Sequence, residues 1–359
     1  MVAAQFTAAV SQPVVPLLAA TERATNARAL AAKAMPSWVA DEGGNLIMGY
    51  WRDRFAWLVG ILIAGMALAQ ASDAACVVAR QEIVPLDIVA GVPVVSVQVN
   101  DVALPFVLDT GAQRSLVTDS AVQRADLRLD EWASTTVKGI SGYERHRNAD
   151  PTSLRLGDIA LRRRTVAADS TLTVGPIPES ALAGHEIAGL LGADFLAGFD
   201  LDIDLPDRQV TLYRVTGCTG QFLPWSARYD TIPASQPMRD VLVIPTDLDG
   251  HTLRTEIDSG SAIGLLTASG IDRMGLTQEV LAADPAGAMH GVGRFTVSTH
   301  RHDFHTLRVG VEHIADPKIW TAPVHILPIV DMLLGGDWLQ HRRVWLSYAT
   351  SRVFVAQAN

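Results

Sequence analysis

Two stretches of this chain, 149 residues apart, carry one pattern. The first is Phe106-Val107-Leu108-Asp109-Thr110-Gly111, followed by Leu116-Val117-Thr118. The second is Thr255-Glu256-Ile257-Asp258-Ser259-Gly260, followed by Leu265-Leu266-Thr267. In each, Asp, a hydroxyl residue and Gly end an apolar run, and Leu-aliphatic-Thr begins after four intervening positions. A short apolar run that enters a glycine turn predicts a strand whose tip delivers the aspartate. Its duplication predicts two homologous halves that bring Asp109 and Asp258 face to face.

The repeat extends on both sides of the motif. Asn100-Asp101 and Asp249-Gly250 both begin nine residues before their aspartates, so each predicts a hairpin whose second strand carries the Asp. Downstream, Leu190-Leu191-Gly192-Ala193-Asp194-Phe195-Leu196 is similar to Leu333-Leu334-Gly335-Gly336-Asp337-Trp338-Leu339. Short apolar runs between Gly, Asn, Asp and Pro dominate from Ile83 onward. Helices are expected only over 119–125, 193–197 and 268–274. The fold class is mainly β: a first lobe over 76–216, a Gly-, Pro- and Ser-rich linker over 217–237, and a second lobe over 238–359.

The chemistry follows from the residue types. Gly111 and Gly260 allow tight turns that leave backbone N–H groups free to approach the carboxylates. Thr110 and Ser259 can hydrogen-bond between the halves. Two carboxylates a few ångströms apart cannot both ionise easily, so they share a proton; one serves as base toward water and the other donates to a carbonyl oxygen. Ser261 follows one motif where Ala112 follows the other. A hydrogen bond from Ser261 to Asp258 would leave the shared proton on Asp109, and Ser261→Ala would then move the acidic limb of a pH–rate profile upward. Asp194 and Asp337 are expected as helix caps.

On these motifs the sequence resembles the retropepsin-like aspartic proteases, in a fused two-lobe bacterial form. Asp109-Thr110-Gly111-Ala112 is similar to the retroviral signature, and Asp258-Ser259-Gly260-Ser261 to the variant in pepsin-like second lobes. Leu190-Leu191-Gly192 and Leu333-Leu334-Gly335 resemble the element that passes beneath each active-site loop in that family. The resemblance covers most of 83–356 and implies two β-barrel lobes with a cleft between them. It also implies flaps, for which the candidates are Lys138-Gly139-Ile140-Ser141-Gly142-Tyr143 and His290-Gly291-Val292-Gly293-Arg294, with Tyr143 as a flap aromatic. The implied activity is endopeptidase cleavage of a peptide or protein substrate by a monomer, with no metal, covalent intermediate or organic cofactor. A non-catalytic peptide-binding module with the same fold is the alternative.

Composition bounds these readings. The 359 residues are 48% hydrophobic and 19% charged, which suits a globular chain of two to three domains. A net charge of −9 argues against nucleic acid as partner, since no broad basic face is available for phosphates. Residues 1–47 read as a leader of uncertain status. Residues 48–75 have the layout of an export signal: Arg52 and Arg54, an apolar run over 55–68, then Ala69-Gln70-Ala71. Read from Met48 this is a cleaved signal; lengthened by Ala69 to Ala71 it is a membrane anchor. Either places the catalytic part outside the cytoplasm, periplasmic or secreted. Cys76 and Cys218 form a disulfide if the compartment is oxidising, or remain free thiols. His300, His302 and His305 do not complete a metal site. His185-Glu186 lacks a zincin's second histidine, and Ser115 and Ser141 lack a serine-hydrolase elbow. The dispersed tryptophans, Trp132 among them, are expected to pack or, near the leader, to serve as interfacial anchors.

Overall fold

A computed structural model describes residues 7–9, 75–139, 142–162, 171–177, 184–238, 240–291 and 296–357. The expected leader and all but the last residue of the expected signal segment, together with Ile140, Ser141, Val292, Gly293 and Arg294, lie outside the described residues, except for the short strand Thr7–Ala9.

The chain is mainly β, with two large curled sheets and a third that joins them. Hairpin Val92–Val99/Val102–Leu108 opens the first large sheet, and hairpin Val241–Leu248/His251–Ile257 opens the second. Both turns place two residues at positive φ: Asn100 at 47° and Asp101 at 64°, Asp249 at 47° and Gly250 at 82°. That is the turn whose twist suits a two-residue hairpin, and Asn, Asp and Gly tolerate it best. The turn side chains then anchor the next hairpin. Asn100 Oδ1 accepts from the Thr152 N–H at 2.7 Å, and Asp249 Oδ1 accepts from the Thr306 N–H at 2.7 Å.

Strand order repeats element for element. In the first sheet it runs Arg128–Gly139, Gly142–Asp150, Leu172–Val174, Leu116–Val117, Gly189–Leu191, Val102–Leu108, Val92–Val99, Leu154–Leu156, Ile159–Ala160. The second gives the same order as Ala286–His290, Thr296–Asp303, Lys318–Thr321, Leu265–Leu266, Met332–Leu334, His251–Ile257, Val241–Leu248, Thr306–Val309, Glu312–Ala315. Thr7–Ala9 adds an outer strand to the first sheet alone, paired with 136–138.

The repeated Thr of the motif has a local role. Thr118 Oγ1 accepts from the Ala121 N–H and caps helix Asp119–Arg124; Thr267 Oγ1 accepts from the Gly270 N–H and caps helix Ala268–Met274. The third expected helix spans Ala193–Leu196; its counterpart Gly336–Leu339 and a further helix, Gln278–Ala282, were not expected.

A six-stranded sheet joins the halves in the order Tyr229–Pro233, Arg352–Ala356, Arg343–Ser347, Asp200–Asp204, Gln209–Thr216, Val77–Pro85. Its centre is the antiparallel contact Leu201↔Leu346. The stretch expected as a linker over 217–237 thus contains an edge strand of this sheet, and most of Ser235–Met238, which pairs with Val241–Leu248. The Cys76–Cys218 disulfide ties the paired ends of Val77–Pro85 and Gln209–Thr216. On one face Trp345 and Phe354 are fully buried, with Tyr213, Phe222, Trp225 and Tyr229 around them. Trp132 departs from the packing expectation: it is 93% exposed, in the irregular stretch of the Arg128–Gly139 strand where Asp130 Oδ1 accepts from the Trp132 and Ala133 N–H groups.

Candidate active site

Each aspartate follows its strand directly and is held by the strand beneath. Gly189–Leu191 runs parallel to Phe106–Leu108 and antiparallel to Leu116–Val117, so it threads between the two sides of the Asp109 loop. Met332–Leu334 threads between Thr255–Ile257 and Leu265–Leu266 in the same way. The Asp109 N–H donates to Leu191 O and the Asp258 N–H to Leu334 O, both at 2.9 Å. Gly192 and Gly335 are needed for the close crossing. A Cβ on Gly192 would sit 2.7 Å from Ala112 O, and one on Gly335 would collide with the Ile263 backbone.

Asp194 and Asp337 are not helix caps, contrary to expectation. Gly192 and Gly335 occupy the N-cap positions, and neither makes a side-chain cap bond. Both carboxylates instead clamp the loop that follows an active-site aspartate. Asp194 Oδ1 accepts from Ser115 N–H at 3.1 Å and from Ser115 Oγ at 2.7 Å, while Ser115 Oγ accepts from Gly192 N–H at 2.8 Å. Asp337 Oδ2 accepts from Gly264 N–H at 2.9 Å. Burial pushes the Asp337 carboxyl up from its usual value, and the Gly264 and Trp338 amides only partly offset this. The recurrence of Asp two residues after each Gly was the available sequence signal.

The loops meet through their hydroxyl residues. Thr110 N–H donates to Ser259 Oγ at 3.0 Å, and Ser259 N–H donates to Thr110 Oγ1 at 3.0 Å. Each hydroxyl then donates across the boundary, Thr110 Oγ1 to Ile257 O at 2.7 Å and Ser259 Oγ to Leu108 O at 2.6 Å. Asp109 and Asp258 are both fully buried. Each faces the opposite glycine: a Cβ on Gly111 would lie 2.5 Å from Asp258 Cγ, and one on Gly260 would overlap the Asp109 carboxyl.

Backbone amides of the two turns reach both carboxyls. Asp109 Oδ1 accepts from Gly111 N–H at 3.1 Å and Ala112 N–H at 2.9 Å, and Asp258 Oδ1 accepts from Gly260 N–H at 2.9 Å. Burial first, and the adjacent Asp258 charge second, hold the Asp109 carboxyl well above the usual range; its hydrogen bond with Asp258 adds to the rise, while the Ala112 and Gly111 amides oppose it. Asp109 Oδ2 receives no donor among the described residues. The Ser261 hydroxyl does not take the part expected of it, because it donates to Ile263 O at 2.8 Å.

Hairpins stand at both expected flap positions. Gly139 pairs with Gly142, and Tyr143, 66% exposed, has Lys138 Nζ 5.5 Å from its ring centre. In the second half His290 pairs with Thr296, and Gly291 leads into the undescribed tip. The histidines of 300–305 lie apart in role: His302 Nδ1 is 2.7 Å from Asp284 Oδ2, and the His305 N–H donates to Asp249. Sequence reasoning passed over Asp331, a fully buried carboxylate that accepts from Arg254, Arg273 and Ser269 and fixes the start of strand Met332–Leu334.

A family model described as aspartyl protease matches residues 95–195 and 244–338, more than half of the chain and once in each lobe. No curated protein matches the chain. Two matches, each spanning one aspartate, its turn and its Leu-Leu-Gly strand, show that the chain belongs to the aspartyl protease family.

Proposed function

We propose that the protein is an aspartic endopeptidase in which Asp109 and Asp258 activate one water molecule against a peptide carbonyl. The observation that carries this is that two turns, locked together by Thr110 and Ser259, bring two fully buried carboxyls to one place, where burial and Asp258 raise the Asp109 carboxyl well above the usual range. In that state Asp258, as the anion, accepts a proton from water while Asp109 donates to the carbonyl oxygen. As the C–N bond breaks, Asp258 gives its proton to the amine nitrogen and Asp109 takes one from a hydroxyl of the diol, which leaves a carboxylic acid and the dyad in its starting protonation. Because both aspartates are fully buried, substrate reaches them only when a covering element yields, and we assign that role to the hairpins that contain Gly139 and Gly142 and Gly291. An extended peptide would be held by main-chain hydrogen bonds beneath them.

Both motifs lie in one chain, which supports a monomeric enzyme. The Cys76–Cys218 disulfide supports an oxidising, exported location, periplasmic or secreted. The test is cleavage of a denatured protein from pH 3 to 8 by the parent chain, Asp109→Asn and Asp258→Asn. Loss in both variants, with inhibition of the parent by a statine-type transition-state mimic, is expected. Activity that survives either substitution refutes the shared dyad. Binding of the mimic without turnover by the parent supports a peptide-binding module instead.

A further inference from the structure

The lobes also meet beside the dyad, at a turn of the first lobe. Asp87–Val89 pairs with Val92–Val99, and the turn between them holds Ala90 at φ 51° and Gly91 at φ 89°. The turn abuts the second lobe at two residues. A Cβ on Gly336 would overlap Gly91 O, and one on Gly91 would lie 3.2 Å from Ala262 Cβ. Val89 and Ala262 pack against one apolar cluster, which includes Ala112 of the Asp109 loop.

Gly336 and Ala262 belong to the support of the Asp258 loop. Gly336 N–H donates to Ser261 O at 2.6 Å, and Asp337 N–H donates to Ala262 O at 3.0 Å. The first lobe holds its own loop by the same bond, Ala193 N–H to Ala112 O at 2.7 Å, with alanine in the place of Gly336. The helix start and the loop bond therefore do not require glycine. What requires it is the Gly91 carbonyl, which leaves no room for a side chain. The first lobe's loop meets the second lobe differently: Met238 Sδ accepts from Gln113 Nε2 at 3.3 Å, a contact of two pliable side chains. At Gly336, backbone seats on backbone.

We infer that Gly336 is a positioning residue for catalysis: it lets the Gly91 turn rest against the Asp258 loop and so sets the distance between the two carboxyls. This rests on the endopeptidase reading above. The bonds between Thr110 and Ser259 join the loops at their base, and a second rigid contact stops rotation about that base. A methyl on Gly336 has to push the Gly91 turn away or drag Ser261, and with it the Asp258 turn, out of place. Either change weakens the interaction between the carboxyls, and the two ionisations of the dyad draw together.

The test compares the parent chain with Gly336→Ala, which copies the first lobe, and Gly91→Asn, which tolerates the positive φ but crowds Ala262 from the first-lobe side. Peptide hydrolysis is followed from pH 3 to 9, with far-ultraviolet circular dichroism of each variant. Both variants are expected to keep the fold and to lose roughly tenfold or more in kcat, with KM within about threefold of the parent's. The alkaline limb of the pH–rate profile is expected to move down by about half a pH unit or more. A role confined to stability lowers the rate evenly across pH and leaves that limb in place. Such a profile, or loss of folding in both variants, overturns the inference. Unchanged kcat in Gly336→Ala overturns it too, while cleavage by the parent that depends on Asp109 and Asp258 keeps the endopeptidase reading. If the parent shows no such cleavage, that reading falls and the inference falls with it.

Discussion

Thr110 and Ser259 each accept the other's backbone N–H at 3.0 Å, and each passes its own hydroxyl proton to a carbonyl of the opposite lobe. Four hydrogen bonds, all buried, thus cross the boundary at the base of the dyad. The exchange fixes where the two aspartates stand relative to one another.

Thr110→Val keeps the shape of the residue but leaves the Ser259 N–H and the Ile257 carbonyl without these partners. A loss of roughly 1–3 kcal/mol in stability is expected by urea unfolding, with reduced turnover. Thr110→Ser should restore most of both. Because the residues form one network, Thr110→Val and Ser259→Ala combined should cost less than the sum of the single changes.

Gly111→Ala and Gly260→Ala should each abolish activity. Neither glycine is required by a positive φ; the limit is the opposite carboxyl, 2.5 Å from where the Gly111 Cβ would be. An added methyl has to push the aspartates apart. Peptide hydrolysis is expected to fall at least a hundredfold, with the far-ultraviolet circular dichroism retained.

Asp109→Asn should remove activity and yet raise stability at neutral pH. The folded protein raises the Asp109 carboxyl's pKa, so its favourable contribution is complete below the unfolded value of about 3.8 and is lost as pH rises through the folded value. Asparagine does not titrate and escapes that loss. A Tm gain of a few degrees at pH 7 that disappears toward pH 3 is the expected profile; an equal Tm at all pH values contradicts it.

Asp331 works in the opposite direction. Burial disfavours its charge, but hydrogen bonds from Arg254 and Ser269 and the Arg254 charge bring the carboxyl down to about 2. Its contribution, about 2 kcal/mol, is present above the unfolded value near 4 and is lost as pH falls through about 2. Asp331→Asn should therefore lower the midpoint of chemical unfolding at pH 6 and lose its effect near pH 2.

Ser261→Ala is expected to leave the acidic limb of the pH–rate profile in place, because the hydroxyl proton goes to Ile263 O. A shift of half a pH unit or more would mean that the hydroxyl reaches Asp258 during turnover.

The sequence by itself determined the duplicated plan. Local patterns carry it: turn residues at fixed offsets, apolar runs of strand length, and the Asp-hydroxyl-Gly and Leu-Leu-Gly signatures. Each constrains the backbone within a few residues and needs no distant partner to be legible. The hairpins at Asn100 and Asp249 and the three expected helices were accessible in this way, while the place of the Leu-Leu-Gly strands beneath the loops followed from the family resemblance.

Only the tertiary structure decided how charge and hydrogen bonds are distributed. Asp194 and Asp337 sit in a helical first turn, and local sequence suggests capping, but Ser115 and Gly264 arrive from about 75 residues earlier in the chain and bond to their carboxylates, leaving only Asp337 Oδ1 to a neighbouring amide, that of Trp338. Ser261 is adjacent to the Asp258 turn in sequence, yet its hydroxyl donates to the carbonyl of Ile263. Tyr229–Pro233 reads as linker because its partner, Arg352–Ala356, lies more than a hundred residues away. The raised pKa of Asp109 depends on burial and on a carboxylate from the other lobe, and neither exists until the two halves close together. Strand and turn preferences act over neighbouring residues, whereas desolvation and the choice among competing hydrogen-bond partners are properties of the packed chain.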